Sequence, residues 1–322
     1  MNVLLSILLV CTGICSVYAQ PFRMTAVETN TAASFRGMSV VDDSVAWISG
    51  TNGMVGTTTN AGLSWSIHTV QNFTTSDFRS VYAFSAHRAL IVNAGSPANV
   101  LLTEDGGKHW RVVYTNNHPD AFVDGIDFWN ENDGIVYGDP IAGRMFLLRT
   151  SDGGQTWKEI LSAPALERGE ASFAASGTGV RCIGQHEIVI CTGGELSRVW
   201  VSVDRGGHWN SRTTPILQGE QSTGIFSLTK SGRRLIIVGG DFKNDSLRRN
   251  NNFYSDDDGN TWMAPVQTTG GYRECVEAYN DRLLFAVGPS GIDLSDNNGV
   301  TWKTFSSEKN FMLSGAHVVE SC

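Results

Sequence analysis

Apolar and polar positions along this chain fall into short runs rather than helical stripes. Met38-Ser39-Val40-Val41 and Val45-Ala46-Trp47-Ile48 form one pair, Val81-Tyr82-Ala83-Phe84 and Ala89-Leu90-Ile91-Val92 another. The pairing returns at Ile225-Phe226-Ser227-Leu228 with Leu235-Ile236-Ile237-Val238, and at Cys275-Val276-Glu277-Ala278 with Leu283-Leu284-Phe285-Ala286. Such runs, rich in β-branched and aromatic residues and bounded by turn formers, predict strands. A third run follows each pair and enters an eight-residue box, and a fourth leaves it. The chain therefore reads as units of four strands in about 47 residues each, the size of a propeller blade.

The box is the strongest internal signal. It reads TTNAGLSW (Thr58 to Trp65), TEDGGKHW (Thr103 to Trp110), TSDGGQTW (Thr150 to Trp157), SVDRGGHW (Ser202 to Trp209), SDDDGNTW (Ser255 to Trp262) and SDNNGVTW (Ser295 to Trp302). Ser or Thr opens it, and Asn60, Asp105, Asp152, Asp204, Asp257 or Asn297 stands third. Trp65, Trp110, Trp157, Trp209, Trp262 or Trp302 closes it, at intervals of 45, 47, 52, 53 and 40 residues. Asp and Asn side chains accept hydrogen bonds from nearby backbone amides and stabilise turns. Gly62, Gly107, Gly154, Gly207, Gly259 and Gly299 are expected to supply positive φ. The tryptophans are expected to bury together near one end.

These boxes match the S/T-x-D-x-G-x-T-W pattern of Asp-box, or BNR, repeats, which occur in sialidases and other propellers. The unit order resembles most the photosystem II stability/assembly factor-like propellers. The resemblance covers nearly all of the chain after its leader and implies an all-β propeller of four-stranded antiparallel blades. In that family a last blade is often closed by strands from both termini. Phe22 to Glu28 and Asn310 to Cys322 would supply them here, so seven blades with an incomplete last one is the expectation and six the alternative. The box specifies a fold, and a fold hosts many chemistries.

The first 19 residues read as a secretory signal peptide, with an apolar core from Val3 to Val10 and a small-x-small cleavage pattern at Val17-Tyr18-Ala19. The apolar stretch is shorter than the ~20 residues of a spanning helix. The expected mature domain is thus 20–322, a secreted monomer with no membrane span. Only 17% of the 322 residues are charged, 35 are glycine and the net charge is −8. With no basic run, nucleic acid is an unlikely partner class. Export leaves Cys182, Cys191, Cys275 and Cys322. Cys182 and Cys191 flank Gln185-His186-Glu187-Ile188 symmetrically, which suits either a hairpin disulfide or two buried thiols. Asn72-Phe73-Thr74 and Asn244-Asp245-Ser246 are candidate glycosylation sequons.

Strand direction sorts the loops. If the box joins strands three and four, the start of strand one and the two-to-three turn lie at the opposite end. There an aromatic followed by arginine recurs: Phe35-Arg36, Phe78-Arg79 and Tyr272-Arg273. Asp124, Glu170 and Thr223 stand near the corresponding place in units three to five, and Asp139 and Asp241 in two of the turns. Arg36, Arg79 and Arg273 with Asp139 and Asp241 form either an anion-binding rim, since guanidinium forks suit carboxylate, sulfate or phosphate, or a set of inter-blade ion pairs. The resembling family's arginine-rich patch adds weight to the first, without setting the second aside.

Other chemistry is thin. Seven histidines are scattered, Asp256-Asp257-Asp258-Gly259 lacks the spacing of a calcium loop, and no metal or cofactor is expected. Two function classes remain: a non-catalytic module binding a protein or glycan, and a sialidase-like glycosidase. In the second, the three arginines would hold a substrate carboxylate and Tyr272 would be the nucleophile. Its glutamate partner is not evident, and the FRIP signature is replaced by Phe22-Arg23-Met24.

Overall fold

The computed structural model describes residues 29–308. The expected signal peptide and both terminal segments expected to close a seventh blade lie outside the described residues. Within them the chain forms six blades: 35–69, 77–116, 123–159, 180–213, 223–263 and 275–306. Six rather than seven is a correction: each blade holds one box between its third and fourth strands, and no seventh sheet occurs among the described residues. Blades 1, 2, 3, 4 and 6 are four-stranded antiparallel sheets. In blade 5 the fourth strand shrinks to one bridge between Tyr254 and Met263. Its inner strand instead takes on two short strands, Glu170–Ala171 and Gly193–Gly194, which stitch blade 4 to blade 5. No helix is long and apolar enough to cross a membrane among the described residues.

The first strands of successive blades lie against each other around the axis. Apolar clusters fill the spaces between consecutive blades. Leu90, Val100 and Phe128 sit between blades 2 and 3, Ile135, Tyr137 and Trp200 between 3 and 4, and Val199, Ile225 and Ile237 between 4 and 5. Trp47, wholly buried, crosses from blade 1 to blade 2, donates its indole N–H to the Ser85 carbonyl at 2.9 Å and meets Trp110 edge-on at 6.1 Å. Because each sheet buries both faces, its central strands read as continuous apolar runs rather than strict alternations.

The box folds as one repeated turn. In Thr103 to Trp110 the Thr103 hydroxyl accepts the Gly107 amide at 3.0 Å and donates to Asp105 at 3.0 Å. Asp105 accepts the His109 amide at 3.0 Å, and Trp110 Nε1 donates to the Gly107 carbonyl at 3.1 Å. Thr150 to Trp157 repeats all four bonds. Positions four and five are both left-handed in every box. Ala61, Arg205, Asp258 and Asn298 accept this conformation at position four (φ 58, 58, 56 and 57°). The amides of Ala61, Gly106, Gly153, Arg205 and Asn298 are thereby aimed at carbonyls of the one-to-two turn in their own blade, 2.8–2.9 Å away. In the fourth box Gly206, not Gly207, carries the positive φ of position five (89°). The tryptophans divide: Trp157 and Trp302 are buried, whereas Trp65, Trp110, Trp209 and Trp262 are half-buried.

The disulfide expectation fails on register. Cys182 pairs across the hairpin with Ile188, and the Cys191 amide bonds the Gly179 carbonyl. Gly179 and Cys182 are three residues apart, so the two thiols leave opposite faces of the sheet. Cys191 packs between blades 4 and 5 and Cys182 between blades 3 and 4, both as free thiols.

Candidate functional site

At the end of the axis opposite the boxes, the mouth of the propeller, the first strands carry β-bulges. The register skips Arg36 in blade 1, Arg79 in blade 2, Asp124 in blade 3 and Phe226 in blade 5. Glu274 occupies the corresponding place in blade 6, where its amide bonds Val287 beside the Cys275–Val287 pair. A bulge re-aims a side chain that the pleat would have turned aside. Here the re-aimed residues converge. Burial raises the Glu274 carboxyl above its ordinary range, and Arg36, the Tyr272 hydroxyl and Arg79 oppose the rise from blades 1, 6 and 2. Asp124 is raised well above its range by burial and then by Asp139, against the pull of Arg79. Arg79 thus acts on carboxyls of blades 3 and 6 from blade 2, as a group near the axis must.

The two mouth arginines are held lightly. Arg79 Nε donates to Asp77 at 2.7 Å, with 30% of its side chain exposed, and its guanidinium lies 5.8 Å from the Phe122 ring centroid. Arg36 is half-buried and makes no hydrogen bond among the described residues. Aromatic rings line the other side of the mouth. Phe226 stacks on Phe173 at 3.9 Å and meets Tyr272 edge-on at 4.7 Å; Phe242, 48% exposed, caps it at 6.2 Å.

Below the mouth a chain of hydroxyls runs across blades 4 to 6. Ser176 and Thr178 are 2.5 Å apart, Thr178 and Ser227 2.6 Å, and Ser227 accepts the Val276 amide. Deeper still, Arg181 reaches from blade 4 to the Leu228 carbonyl of blade 5 at 3.0 Å and to Glu277 of blade 6. Asp127 of blade 3 faces it; burial pushes this carboxyl up to about 6 although Arg181 opposes the rise. These groups tie four blades together across the axis.

The expected rim is only partly assembled. Arg273 is 1% exposed and turned away from the mouth. It donates to Asp293 at 2.8 Å through Nε and 2.6 Å through its terminal nitrogen, and its other terminal nitrogen bonds the Tyr272 carbonyl and Ser290 at 2.8 Å. Arg273 is thus engaged within its own blade 6, by Asp293, and pairs with neither Asp139 nor Asp241 across blades. Asp139 accepts the Ser172 amide at 3.0 Å, and burial pushes it up to about 6. Asp241 accepts the Lys243 amide at 2.9 Å and shapes its own loop. Glu170 lies off the mouth, bound by Arg198, Thr192 and Trp200.

Sequence reasoning missed the glutamate beside Tyr272. It is Glu274, two residues on, where a strand returns side chains to one face; the two hydrogen-bond at 3.4 Å. Tyr272 is only 1% exposed, and burial and then Glu274 raise its hydroxyl well above the ordinary range, so it is not an activated phenolate. Both sequon asparagines, Asn72 and Asn244, are exposed on loops at the mouth end. No group of three or more His, Cys, Asp or Glu side chains could hold a metal ion among the described residues.

Fold and mouth together define a six-bladed β-propeller with charged bulges at one end of its axis. No protein-family model matches the chain, and no curated protein does. Solved structures do. A YCF48 bound to a D1 peptide superposes with a TM-score of 0.62 at 17% identity, over 88% of this chain and 85% of that one. YCF48 from Cyanidioschyzon merolae gives 0.60 at 17% identity, over 88% and 89%. An ancestral GH74 enzyme gives 0.61 at 14% identity over 88% of this chain, which spans 40% of that one. The likeness is one of fold, a β-propeller common to the YCF48 structures and the GH74 enzyme.

Proposed function

We propose that this chain is a secreted, non-catalytic propeller that holds an anionic group of a protein partner, or of a glycan, at the mouth of the propeller through Arg36 and Arg79. The observation that carries this reading is the pair of bulged arginines in adjacent blades, one without a hydrogen bond among the described residues and the other held only by Asp77. Such guanidiniums keep the donors that a carboxylate or sulfate accepts. The aromatic wall of Phe173, Phe226 and Phe242 offers apolar contact beside them, as a peptide requires. The fold-level likeness to a YCF48 bound to a D1 peptide supports a protein as the partner. Secretion rests on the leader sequence.

One observation favours a sialidase-like hydrolase instead: the Tyr272–Glu274 hydrogen bond near Arg36. Burial of Tyr272 and the engagement of Arg273 by Asp293 weigh against it, because a nucleophile must reach a substrate atom and the arginine set is incomplete. The test is capture on peptide and glycan arrays by the wild type and by an Arg36→Ala/Arg79→Ala variant of unchanged melting temperature. Loss of capture in the variant is expected, and undiminished capture would refute the site. Sialoside turnover abolished by Tyr272→Phe would move the protein to the enzyme class.

A further inference from the structure

Adjacent basic residues occur at two places in this chain, Arg233-Arg234 and Arg248-Arg249. The fold treats the two pairs oppositely. Arg233 stands at the tip of the tight turn between the first two strands of blade 5, and Arg234 is already in the ladder opposite Ser231. Arg234 holds Asp256 at 2.7 and 2.8 Å, bonds the Asn298 carbonyl at 3.0 Å and lies 4.2 Å from the Tyr254 ring centroid. The next residue, Leu235, is buried inside the sheet. An endoprotease takes its substrate as an extended segment bonded through the main chain. This turn extends only if Thr223–Ser231 and Arg234–Asp241 are pulled apart.

Arg248-Arg249 lies in the longest turn of its kind at the mouth. Between their second and third strands the other blades use two to six residues, whereas blade 5 uses ten, 242–251. Arg248, Arg249 and Asn250 are all exposed. Arg248 donates only through Nε, to the Gly270 carbonyl at 3.2 Å, and Arg249 makes no hydrogen bond or ion pair among the described residues. Up to Asn250 the loop is tied elsewhere by few bonds. The Phe242 amide bonds the Ser222 carbonyl, the Asp245 carbonyl accepts the Tyr272 amide and the Ser290 hydroxyl, and the Asn250 carbonyl accepts the Leu217 amide. Exposed, lightly tied loops of this kind open locally and are where folded chains are nicked.

We propose that the Arg249–Asn250 bond is a processing site for an endoprotease that selects paired arginines. Water adds across the bond: the C–N bond breaks, Arg249 gains a carboxylate and Asn250 becomes a free α-ammonium. The two pieces stay together. Asn252–Ser255 remains paired with Arg234–Asp241 over four residues, and buried Asn251 anchors the new terminus. Its side-chain amide bonds the Gly271 carbonyl at 2.6 Å, and its own carbonyl accepts the Gly239 amide at 2.8 Å. The arm 242–249, then fixed at one end only, gains freedom beside the mouth, where Phe242 caps Phe226. Processing thus alters the aromatic wall and leaves the blade standing. Only the compartment in which the protease meets the chain rests on the secretion proposed above.

The test incubates the purified folded chain with a subtilisin-like endoprotease of paired-basic specificity and follows the fragments by electrophoresis and N-terminal sequencing. One cut is expected, with the new terminus Asn250-Asn251-Asn252. It should be at least about a hundredfold faster than any cut at Arg233-Arg234, because cleavage follows the population of opened chain. The fragments should migrate as one species in gel filtration and separate in urea. Arg248→Gln/Arg249→Gln should abolish the cut at unchanged melting temperature. A synthetic peptide of residues 244–253 is the control for the sequence outside the fold. A folded chain that resists while this peptide is cut, a peptide that is itself resistant, or comparable rates at the two arginine pairs overturns the proposal. The readout uses neither partner nor secretion, so it stands or fails apart from the arginine site of Arg36 and Arg79.

Discussion

Replacing Arg273 with alanine should destabilise the propeller without touching its binding. The guanidinium and the Asp293 carboxylate are each 1% exposed, and Arg273 makes two bonds to Asp293, one to the Tyr272 carbonyl and one to Ser290. Truncation leaves Asp293 buried with a single remaining donor among those named here, the Gly270 amide at 2.7 Å. Orphaning a buried charge in this way costs about 3–5 kcal/mol, a large share of the ~5–15 kcal/mol that holds a typical protein folded. The exposed Lys303–Asp296 pair (63% and 57% exposed) is the contrast; breaking it should cost no more than ~1 kcal/mol. Urea unfolding followed by tryptophan fluorescence measures both. An Arg273→Met/Asp293→Leu variant should recover most of the loss, since removing both charges removes the orphan as well. A deficit below about 1 kcal/mol for Arg273→Ala, or loss of partner capture at unchanged stability, would refute this and return Arg273 to the mouth.

Trp157→Ala should cost roughly 3–5 kcal/mol, because Trp157 is buried against Phe128 and closes a complete box; Trp65→Ala, at a half-buried position, should cost less in the same melts. Asp139, pushed up to about 6 from 3.8, binds its proton more tightly in the folded chain than in the unfolded one. Its contribution to stability is therefore present at low pH and is lost as pH rises from about 4 to 6. Asp139→Asn should match the wild type below that window and exceed it above, and melts across the range test the sign. Peptide mapping should find Cys182 and Cys191 alkylated without prior reduction, where a linked peptide would contradict the observed register.

The repeats alone determined the architecture, because the box is a local device. Its hydroxyl, carboxylate and glycine bond partners within eight residues, so the pattern carries its own geometry and marks each four-stranded unit, although the expected seventh blade does not occur among the described residues. Even there, the left-handed fourth position was invisible as a rule, since Ala61 and Arg205 adopt it for a hydrogen bond to another turn. The aromatic-arginine openings fall at the bulged first-strand positions of Arg36 and Arg79. Only tertiary structure decided that Arg273 faces Asp293, that Cys182 and Cys191 leave opposite faces, and that Asp124 and Glu274 join the mouth. Each of these turns on a one-residue change of register or on a partner from a distant strand. A bulge or a hairpin offset reverses the direction of a side chain while leaving the apolar pattern that predicts the strand unchanged.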